Sequence, residues 1–258
     1  MASREEEKKE RREERRRAEA EAAVRERRQR MTKLISAAVL LAVIAVVVAI
    51  VVSQSGSDSS GGGTDITGVG KVNSELSGLE QNGSILGDPN AKKTLIEYGD
   101  LQCPTCKLYA DEVMPRFFSG EVSAGQAKID FRPWSIIGPD STPAAEAAYA
   151  AGEQGRFWTF IELFYLNQGE ENSGYVTDDF MTAVAKAAGV KDIAQWNKDR
   201  KDARWKQMID AHDKQAAALG FTGTPSFAIQ SSGGPVKPIS NGSSITPPAA
   251  ISAAISGG

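Results

Sequence analysis

Two cysteines, Cys103 and Cys106, are the residues of this sequence best suited to carry out chemistry. They are the only cysteines among 258 residues, and a Pro-Thr dipeptide separates them. A pair at this spacing can form a reversible disulfide, supply half of a zinc site, or arise by chance. Structural zinc sites usually take four Cys or His ligands, and His212 is the single histidine. We therefore favour redox chemistry, with a zinc site of two Cys, His212 and a carboxylate as the alternative.

The elements that flank the pair support the redox interpretation. Residues 94–98 predict a buried strand, and a helix predicted over 104–118 begins with a proline. Cys103 would then lie at a helix N-terminus, where unpaired N–H groups and the helix dipole stabilise an anion. We expect Cys103 to attack disulfides as a thiolate and Cys106, one turn later, to resolve the mixed disulfide. Lys107 adds positive charge nearby, or is an ordinary solvated lysine.

The remaining elements predict an α/β fold. A second strand is expected over 127–134, and residues 140–218 are largely helical. Two further strands are expected over 225–229 and 236–239, and a short helix over 247–256. The helical segment is therefore an insertion between the second and third strands of the core.

An apolar segment near the N-terminus predicts a membrane anchor. Residues 34–52 contain no charge, and 19 residues at 1.5 Å per residue nearly span a hydrocarbon core of about 30 Å. A cleavable signal peptide would have an apolar region of about 7–15 residues followed by an A-x-A-like site. Here the run is longer and Ser53-Gln54-Ser55 follows it. We predict a single transmembrane helix that remains as an uncleaved signal anchor.

The charges on either side of this segment predict its orientation. Residues 1–33 form a charged tail with 13 of the 30 Lys and Arg residues, whereas residues 53–70 have none. The positive-inside rule then places the tail in the cytoplasm and the chain after residue 52 outside it, at the cell membrane. The Gly/Ser-rich residues 53–83 predict a flexible linker, which leaves residues 84–258 as the folded domain.

Four motifs together resemble DsbA-like thiol:disulfide oxidoreductases of the thioredoxin superfamily, of the membrane-anchored bacterial type. In chain order they are GDPNA at 87–91, IEYGDLQCPTC at 96–106, QGRFW at 154–158 and GTPSF at 223–227. The resemblance extends over residues 85–256. It implies a four-stranded thioredoxin-like core that carries a helical insertion, with the active-site disulfide at the edge of the core.

The resemblance also implies roles for individual residues. Cys103 matches the exposed nucleophile of the family, and Cys106 matches its buried partner. Pro225 matches a cis-proline that faces the disulfide, and the backbone of Thr224 before it would pair with an extended substrate chain. Glu97 matches an acid buried beneath the active site. A buried carboxylate in an apolar strand costs free energy unless it has a function or a charged partner. We therefore expect Glu97 to relay protons for Cys106, with a structural salt bridge as the alternative.

One departure from the family bears on redox strength. Thr105 stands where the best-known oxidants carry histidine, so the thiolate lacks an imidazolium neighbour. We expect a pKa of roughly 4.5–6.5 for Cys103. We also expect a reduction potential between the ~−270 mV of thioredoxin and the ~−120 mV of DsbA.

These observations predict an extracytoplasmic enzyme that introduces disulfides into exported cysteine-containing proteins. The resemblance implies recycling by a quinone-linked membrane oxidase, and no cofactor or metal beyond the Cys103–Cys106 disulfide. A reductase or isomerase on the same fold is one alternative, and a non-catalytic protein that holds Cu(I) between the cysteines is another. After residue 33 the chain carries 17 basic and 24 acidic residues, which argues against a nucleic-acid partner.

Overall fold

A computed structural model describes residues 65–239 and 246–257. The charged tail over 1–33, the predicted membrane helix over 34–52 and the first part of the predicted linker lie outside these residues. Within the described part of the chain, no helix is both long enough and apolar enough to cross a membrane.

Strands and helices follow one another along the described chain. The strands are β1 (Gln81–Asn82), β2 (Ile85–Leu86), β3 (Lys93–Gly99), β4 (Ala127–Pro133), β5 (Ser226–Ser231) and β6 (Val236–Pro238). The helices are α1 (Val69–Glu75), α2 (Pro104–Glu112), α3 (Met114–Phe117), α4 (Ser141–Gly152), α5 (Phe157–Leu166), α6 (Asp178–Ala187), α7 (Ile193–Asp199), α8 (Ala203–Ala218) and α9 (Pro248–Ser256). One turn of π-helix over Phe118–Val122 follows α3.

The strands form one mixed sheet in the order β1-β2-β4-β3-β5-β6. The central strands β3 and β4 are parallel, and every other neighbouring pair is antiparallel. Glu97 of β3 has Phe131 of β4 and Phe227 of β5 as its cross-strand partners. The helices α4 to α8 lie between β4 and β5 along the chain. The predicted thioredoxin-like α/β fold with a helical insertion is therefore confirmed.

The two faces of β3 contribute to different apolar clusters, because successive side chains of a strand point to opposite faces. Leu95 belongs to the larger cluster, which includes both cysteines and the buried side of α5. Ile96 and Tyr98 belong to the smaller one, which they share with Ala216 of α8. Glu97 follows the alternation of Leu95, so its side chain enters the larger cluster.

The helix α5 lies entirely within the protein core. Every residue from 157 to 165 is buried, including five aromatic side chains and one carboxyl, that of Glu162. A helix that is apolar on all sides is stable only when other elements surround it. The aromatic side chains of α5 therefore pack the core instead of lining a groove.

The folded domain begins earlier than the sequence predicted. In α1, Val72 is fully buried and Leu76 nearly so, and both belong to the larger apolar cluster. Val69 and Leu79 pack against the same cluster, so apolar side chains recur here at helical spacing. Residues 65–83 consequently fold with the domain, and the predicted linker over 53–83 is too long at its C-terminal end.

The predicted helix over 104–118 is interrupted. α2 ends at Glu112 and α3 begins at Met114, with Val113 between them at φ −111°. Pro115 has no N–H group with which to continue the helical hydrogen bonds, and in a continuous helix its ring would clash with the carbonyl group of Asp111, four residues earlier. The helix that follows the cysteines is therefore short.

Candidate active site

Cys103 is the N-cap residue of α2, in the position that the sequence predicted. Its backbone is extended, and its Sγ atom accepts a hydrogen bond from the backbone N–H of Cys106 at 3.4 Å. Both cysteines are free thiols. Cys103 is only 5% exposed, less than the resemblance implied, and Cys106 is fully buried. Of the two cysteines, only Cys103 therefore retains any exposed area.

The two thiols have opposite acidities. The hydrogen bond from the Cys106 thiol is the main cause that lowers the pKa of Cys103 to about 6, and burial opposes it. The Thr224 side chain and the backbone N–H groups of Cys106 and Thr105 lower this pKa further. Burial raises the pKa of Cys106 well above its usual value, and the interactions with Cys103 raise it further. At neutral pH the pair therefore holds one thiolate, on Cys103, and one thiol, on Cys106. The value for Cys103 lies within the range expected from the sequence.

Thr224 and Pro225 lie beside Cys103, just before β5. The Sγ atom of Cys103 lies 3.4 Å from the carbonyl oxygen of Thr224, to which the protonated thiol donates a hydrogen bond. The Thr224–Pro225 peptide bond is cis, as the resemblance implied. The Ser226 hydroxyl donates a 2.6 Å hydrogen bond to the carbonyl oxygen of Gly223, which closes the turn before the strand. The loop thus faces the sulfur that a substrate must reach.

Glu97 lies in the same cluster as the cysteines, on the central strand. It is 3% exposed, and none of the described lysine or arginine residues forms an ion pair with it. Burial and the negative charge of Cys103 raise the pKa of Glu97 to about 8. The charge of Glu97 in turn raises the pKa of Cys106. Glu97 is therefore a protonated carboxyl at neutral pH that responds to the state of both sulfurs.

Lys107 has a different role from either sequence interpretation. Its Nζ atom donates hydrogen bonds to the backbone carbonyl oxygens of Tyr165 and Leu166, the latter at 3.0 Å. It also lies 3.8 Å from a carboxylate oxygen of Asp111. Burial lowers the pKa of Lys107. The ammonium group thus caps the C-terminus of α5 and joins the active-site helix to the insertion.

Asp100 organises the loop between β3 and α2, a role that the sequence analysis missed. This carboxylate is 1% exposed and accepts hydrogen bonds from three backbone N–H groups. Its Oδ1 atom accepts from Gln102 at 2.9 Å, and its Oδ2 atom accepts from Ile136 at 2.8 Å and Ile137 at 2.9 Å. An aspartate directly after an apolar strand was the available signal, because turns at strand ends favour this residue.

Gln168 and Asn172 also hold the loop that carries Cys103. The Gln168 side-chain amide donates to the carbonyl oxygens of Leu101 at 2.7 Å and Cys103 at 3.3 Å. The Asn172 backbone N–H donates to the side-chain oxygen of Gln102 at 3.0 Å. Nothing in a single sequence marks these residues, since their partners lie about 70 positions away. They fix the cysteine backbone to the segment after α5.

His212 does not join the cysteines. Its Nδ1 atom lies 3.3 Å from the hydroxyl of Tyr149, between α4 and α8. Burial lowers the pKa of His212 to about 4, so the imidazole is neutral at neutral pH. In the described parts of the chain, no three His, Cys, Asp or Glu residues are grouped as metal ligands.

Comparisons with known proteins place this geometry in context. The family model described as Thioredoxin matches residues 80–233, more than half of the chain. A probable disulfide bond formation protein D from Bacillus cereus is 29% identical over 147 residues, which cover 56% of this chain and 68% of that protein. The disulfide bond formation protein D of Bacillus subtilis is 28% identical over 105 residues, or 40% of this chain and 47% of that protein.

A solved structure supports the fold independently. The crystal structure of oxidised BdbD from Bacillus subtilis superposes with a TM-score of 0.58 at 19% sequence identity. The match covers 69% of this chain and 94% of BdbD. At this identity the likeness concerns the fold, and it extends through nearly the whole of the other protein.

Proposed function

We propose that this chain, which belongs to the thioredoxin family, acts as a DsbA-like thiol:disulfide oxidoreductase and introduces disulfides into exported proteins through Cys103 and Cys106. The observation that carries the proposal is the opposite acidity of the two thiols. The pKa of Cys103 is lowered to about 6, whereas that of its buried partner is raised. A stabilised thiolate favours the reduced form of the enzyme, so the oxidised enzyme readily transfers its disulfide to a substrate.

The proposed reaction has two exchange steps. A substrate thiolate attacks Sγ of Cys103 in the oxidised enzyme, the Cys103–Cys106 bond breaks, and Cys106 leaves and takes up a proton. A second substrate thiolate then attacks the substrate sulfur of the mixed disulfide and releases Cys103 as a thiolate. The substrate loses two electrons and gains a disulfide, and the enzyme is left with a thiolate and a thiol. Glu97, protonated at neutral pH, is the proposed donor of the proton to Cys106.

Substrate binding is assigned to the loop before β5. The carbonyl oxygen of Thr224 lies 3.4 Å from Sγ of Cys103, so a peptide whose cysteine approaches that sulfur also approaches the backbone of Thr224. An extended peptide can form backbone hydrogen bonds with such a segment, without regard to its own sequence. Pro225 keeps this segment opposite the cysteines.

The proposed location is outside the cytoplasm, at the cell membrane. Support comes from the uncharged segment over 34–52, from the basic residues that precede it, and from the persistence of disulfides in oxidising compartments. After each cycle Cys103 and Cys106 must lose two electrons to become a disulfide again. We assign this step to a quinone-linked membrane oxidase, which an anchored domain could reach.

A reductase or isomerase is the second candidate, and one observation favours it. The pKa of Cys103, about 6, is closer to the ~7 of thioredoxin than to the ~3.5 of DsbA. A thiolate of intermediate stability corresponds to an intermediate reduction potential.

The reduction potential of the full-length chain separates the two candidates. For the oxidant we expect equilibration with glutathione to give a value between about −250 and −120 mV, with the pair found oxidised in cells. The oxidised chain should also convert a reduced, unfolded disulfide protein to its oxidised form, and Cys103→Ser should not. A value below about −250 mV together with a reduced pair in cells would favour the reductase.

A further inference from the structure

A further buried carboxyl, that of Glu162, lies in the core that also contains the cysteines and has no role in the reaction described above. Glu162 is 4% exposed, in the middle of the otherwise apolar helix α5. A carboxyl group in such surroundings costs free energy relative to an apolar residue of similar size. Among the described residues, no lysine or arginine forms an ion pair with Glu162 within 4 Å.

The position of Glu162 on α5 directs it toward β3. Trp158, Glu162 and Tyr165 follow one another at intervals of four and three residues, so they lie on one face of the helix. The rings of Trp158 and Tyr165 both pack against Phe131, at centroid distances of 6.2 and 6.4 Å. Phe131 is the cross-strand partner of Glu97. Glu162 therefore stands on the face of α5 that covers Glu97.

The surroundings of Gly99 also show that this face of β3 packs against α5. A side chain at Gly99, two residues after Glu97 and on the same face, would lie 3.3 Å from the hydroxyl of Tyr165. That hydroxyl donates a 3.2 Å hydrogen bond to the carbonyl oxygen of Asp100. This face of β3 and this face of α5 are consequently in direct contact, with one carboxyl on each.

The helices α1 and α2 both pack against α5 and carry charged groups near the surface. Lys71 and Glu75 of α1 are 3.1 Å apart, and Lys71 lies 4.0 Å from Asp111 of α2. Asp111 is in turn 3.8 Å from Lys107. Each of these side chains is partly exposed. They connect the surface of α1 and α2 to the interior at α5.

The charges that act on Glu162 come from both directions. Burial is the main cause that raises its pKa well above the usual value, and the charge of Glu97 is the next. Smaller influences come from Glu75, Lys71 and Asp111. Two buried carboxyls that interact in this way do not both ionise at neutral pH, so together they hold at least one proton.

We propose that Glu162 is the second member of a proton path that runs from Cys106 through Glu97 to the solvent beside Lys71 and Asp111. The inference rests on the proposed function and extends it. When Cys106 leaves as a thiolate, Glu97 gives it a proton and becomes a carboxylate. Glu162 then restores the proton of Glu97 and takes another from water at the surface. No electrons move in these steps, and Glu162 acts through Glu97 without touching the sulfurs.

The path is tested by following two signals during one turnover of the full-length chain. The oxidised chain is mixed with an excess of a small dithiol at pH 7, tryptophan fluorescence reports disulfide cleavage, and a pH indicator reports protons in solution. Per turnover the dithiol releases two protons and Cys106 takes up one, because Cys103 remains a thiolate. In the wild-type chain we expect a single net release that keeps pace with cleavage.

Glu162→Gln should separate the two signals. Glu97 still supplies the proton to Cys106, so disulfide cleavage should proceed at the wild-type rate. Proton uptake from solution should lag behind cleavage by at least about tenfold, because a positioned proton donor typically contributes a factor of 10² or more. The indicator then shows an overshoot of released protons. Glu97→Gln should instead slow the cleavage step itself. Glu162→Asp, which keeps a carboxyl, should largely remove the lag, and Glu146→Gln in α4 should behave as wild type.

Failure of the proton path and failure of the proposed function would give different results. Coincident signals in Glu162→Gln, with Glu97→Gln still slow, would reduce Glu162 to a structural carboxyl. A wild-type chain that never reacts with the dithiol would contradict the proposed function itself. Should Glu162→Gln fail to fold, carbon-13 spectra of the wild-type glutamate carboxyls decide: Glu97 and Glu162 are expected to respond at the same pH and to redox state. Independent titration of Glu162 at an ordinary pKa would overturn the proposal.

Discussion

The Nζ atom of Lys107 donates a 3.0 Å hydrogen bond to the carbonyl oxygen of Leu166, and so the active-site helix is joined to the last turn of α5. The last carbonyl groups of a helix lack partners within it and carry partial negative charge. Lys107 satisfies two of them at once, since it also bonds to Tyr165. The groups that lower the pKa of Cys103 are the Cys106 thiol, the Thr224 side chain and the nearby backbone N–H groups.

Replacing Lys107 should therefore affect stability and spare the thiolate. We expect Lys107→Gln to lower the free energy of unfolding by about 1 kcal/mol, the usual scale for a charge at a helix terminus. The pKa of Cys103, measured from the pH dependence of alkylation, should stay near 6. Lys186→Gln, at the exposed end of α6, is the control and should change stability less. A rise of a full unit in the Cys103 pKa would show that Lys107 stabilises the thiolate after all.

The two cysteines should differ in reactivity. We expect alkylation of Cys103 to be fast at neutral pH and to slow as the pH falls through about 6, because the thiolate is then protonated. Cys106 should react slowly throughout, since it is buried and its pKa is raised. Mass spectrometry of partly alkylated chains measures both rates. Equal labelling of the two residues would contradict the assignment.

The hydrogen bond from the Cys106 thiol can be tested with two matched replacements. Cys106→Ser retains a hydroxyl donor, whereas Cys106→Ala has none, so the pKa of Cys103 should be higher in the alanine variant. Both variants should accumulate mixed disulfides with substrates, because no Cys106 thiol remains to displace the substrate from Cys103, while Cys103→Ser should accumulate none. Accumulation in Cys103→Ser would reverse the roles of the two sulfurs.

Glu97 should make stability depend on pH. Its pKa is about 8 in the folded chain and ordinary in the unfolded chain, so the folded state holds more protons between about pH 4.5 and 8. Its contribution therefore falls as the pH rises through this window, by at most about 5 kcal/mol. Glu97→Gln should be close to wild type in urea unfolding at pH 5 and clearly more stable than wild type at pH 9. The same difference at both pH values would indicate that Glu97 is ionised in the folded protein.

Because the folded domain begins before residue 84, the expected sites of protease cleavage lie closer to the N-terminus than residues 53–83 alone would predict. Because residues 65–83 pack with the domain, we expect protease added outside intact cells to cut within 53–64 and to leave the released domain with α1 attached. The tail over 1–33 should stay protected inside the cell. Fragments that begin within 69–75 would show that α1 is not stably packed. A mature form from which 34–52 is already missing would replace the anchor with a cleaved signal peptide.

The chemistry of the site was accessible from the sequence because it is local. Cys103 and Cys106 lie within one turn of each other, and Pro104 marks the start of their helix. Glu97 was noticeable because a carboxylate interrupts an apolar strand. The core strands were predicted to within a few residues for the same reason, since period-two alternation and flanking turn residues are short-range signals.

The contacts that position these residues are not local, and composition concealed some of them. Lys107 looked like a surface lysine because its carbonyl partners lie 58 and 59 residues further along the chain. Glu162 was passed over within an aromatic-rich segment. The helix α1 follows directly on a Gly/Ser tract, and the average over 53–83 hid the apolar spacing that begins at Val69.

The hydrogen bonds from Gln168 and Asn172 have a consequence for the architecture as a whole. The backbone around Cys103 completes its hydrogen bonding with groups that belong to the segment after α5. Excising the insertion to obtain a minimal thioredoxin would remove these hydrogen bonds, each with a net contribution of about 0.5–1.5 kcal/mol, and would expose the apolar side chains that the insertion covers. The insertion is thus not a detachable module. The loop that carries the nucleophile and the helices that cover it form one cooperative unit, which should lose its protection from amide exchange together.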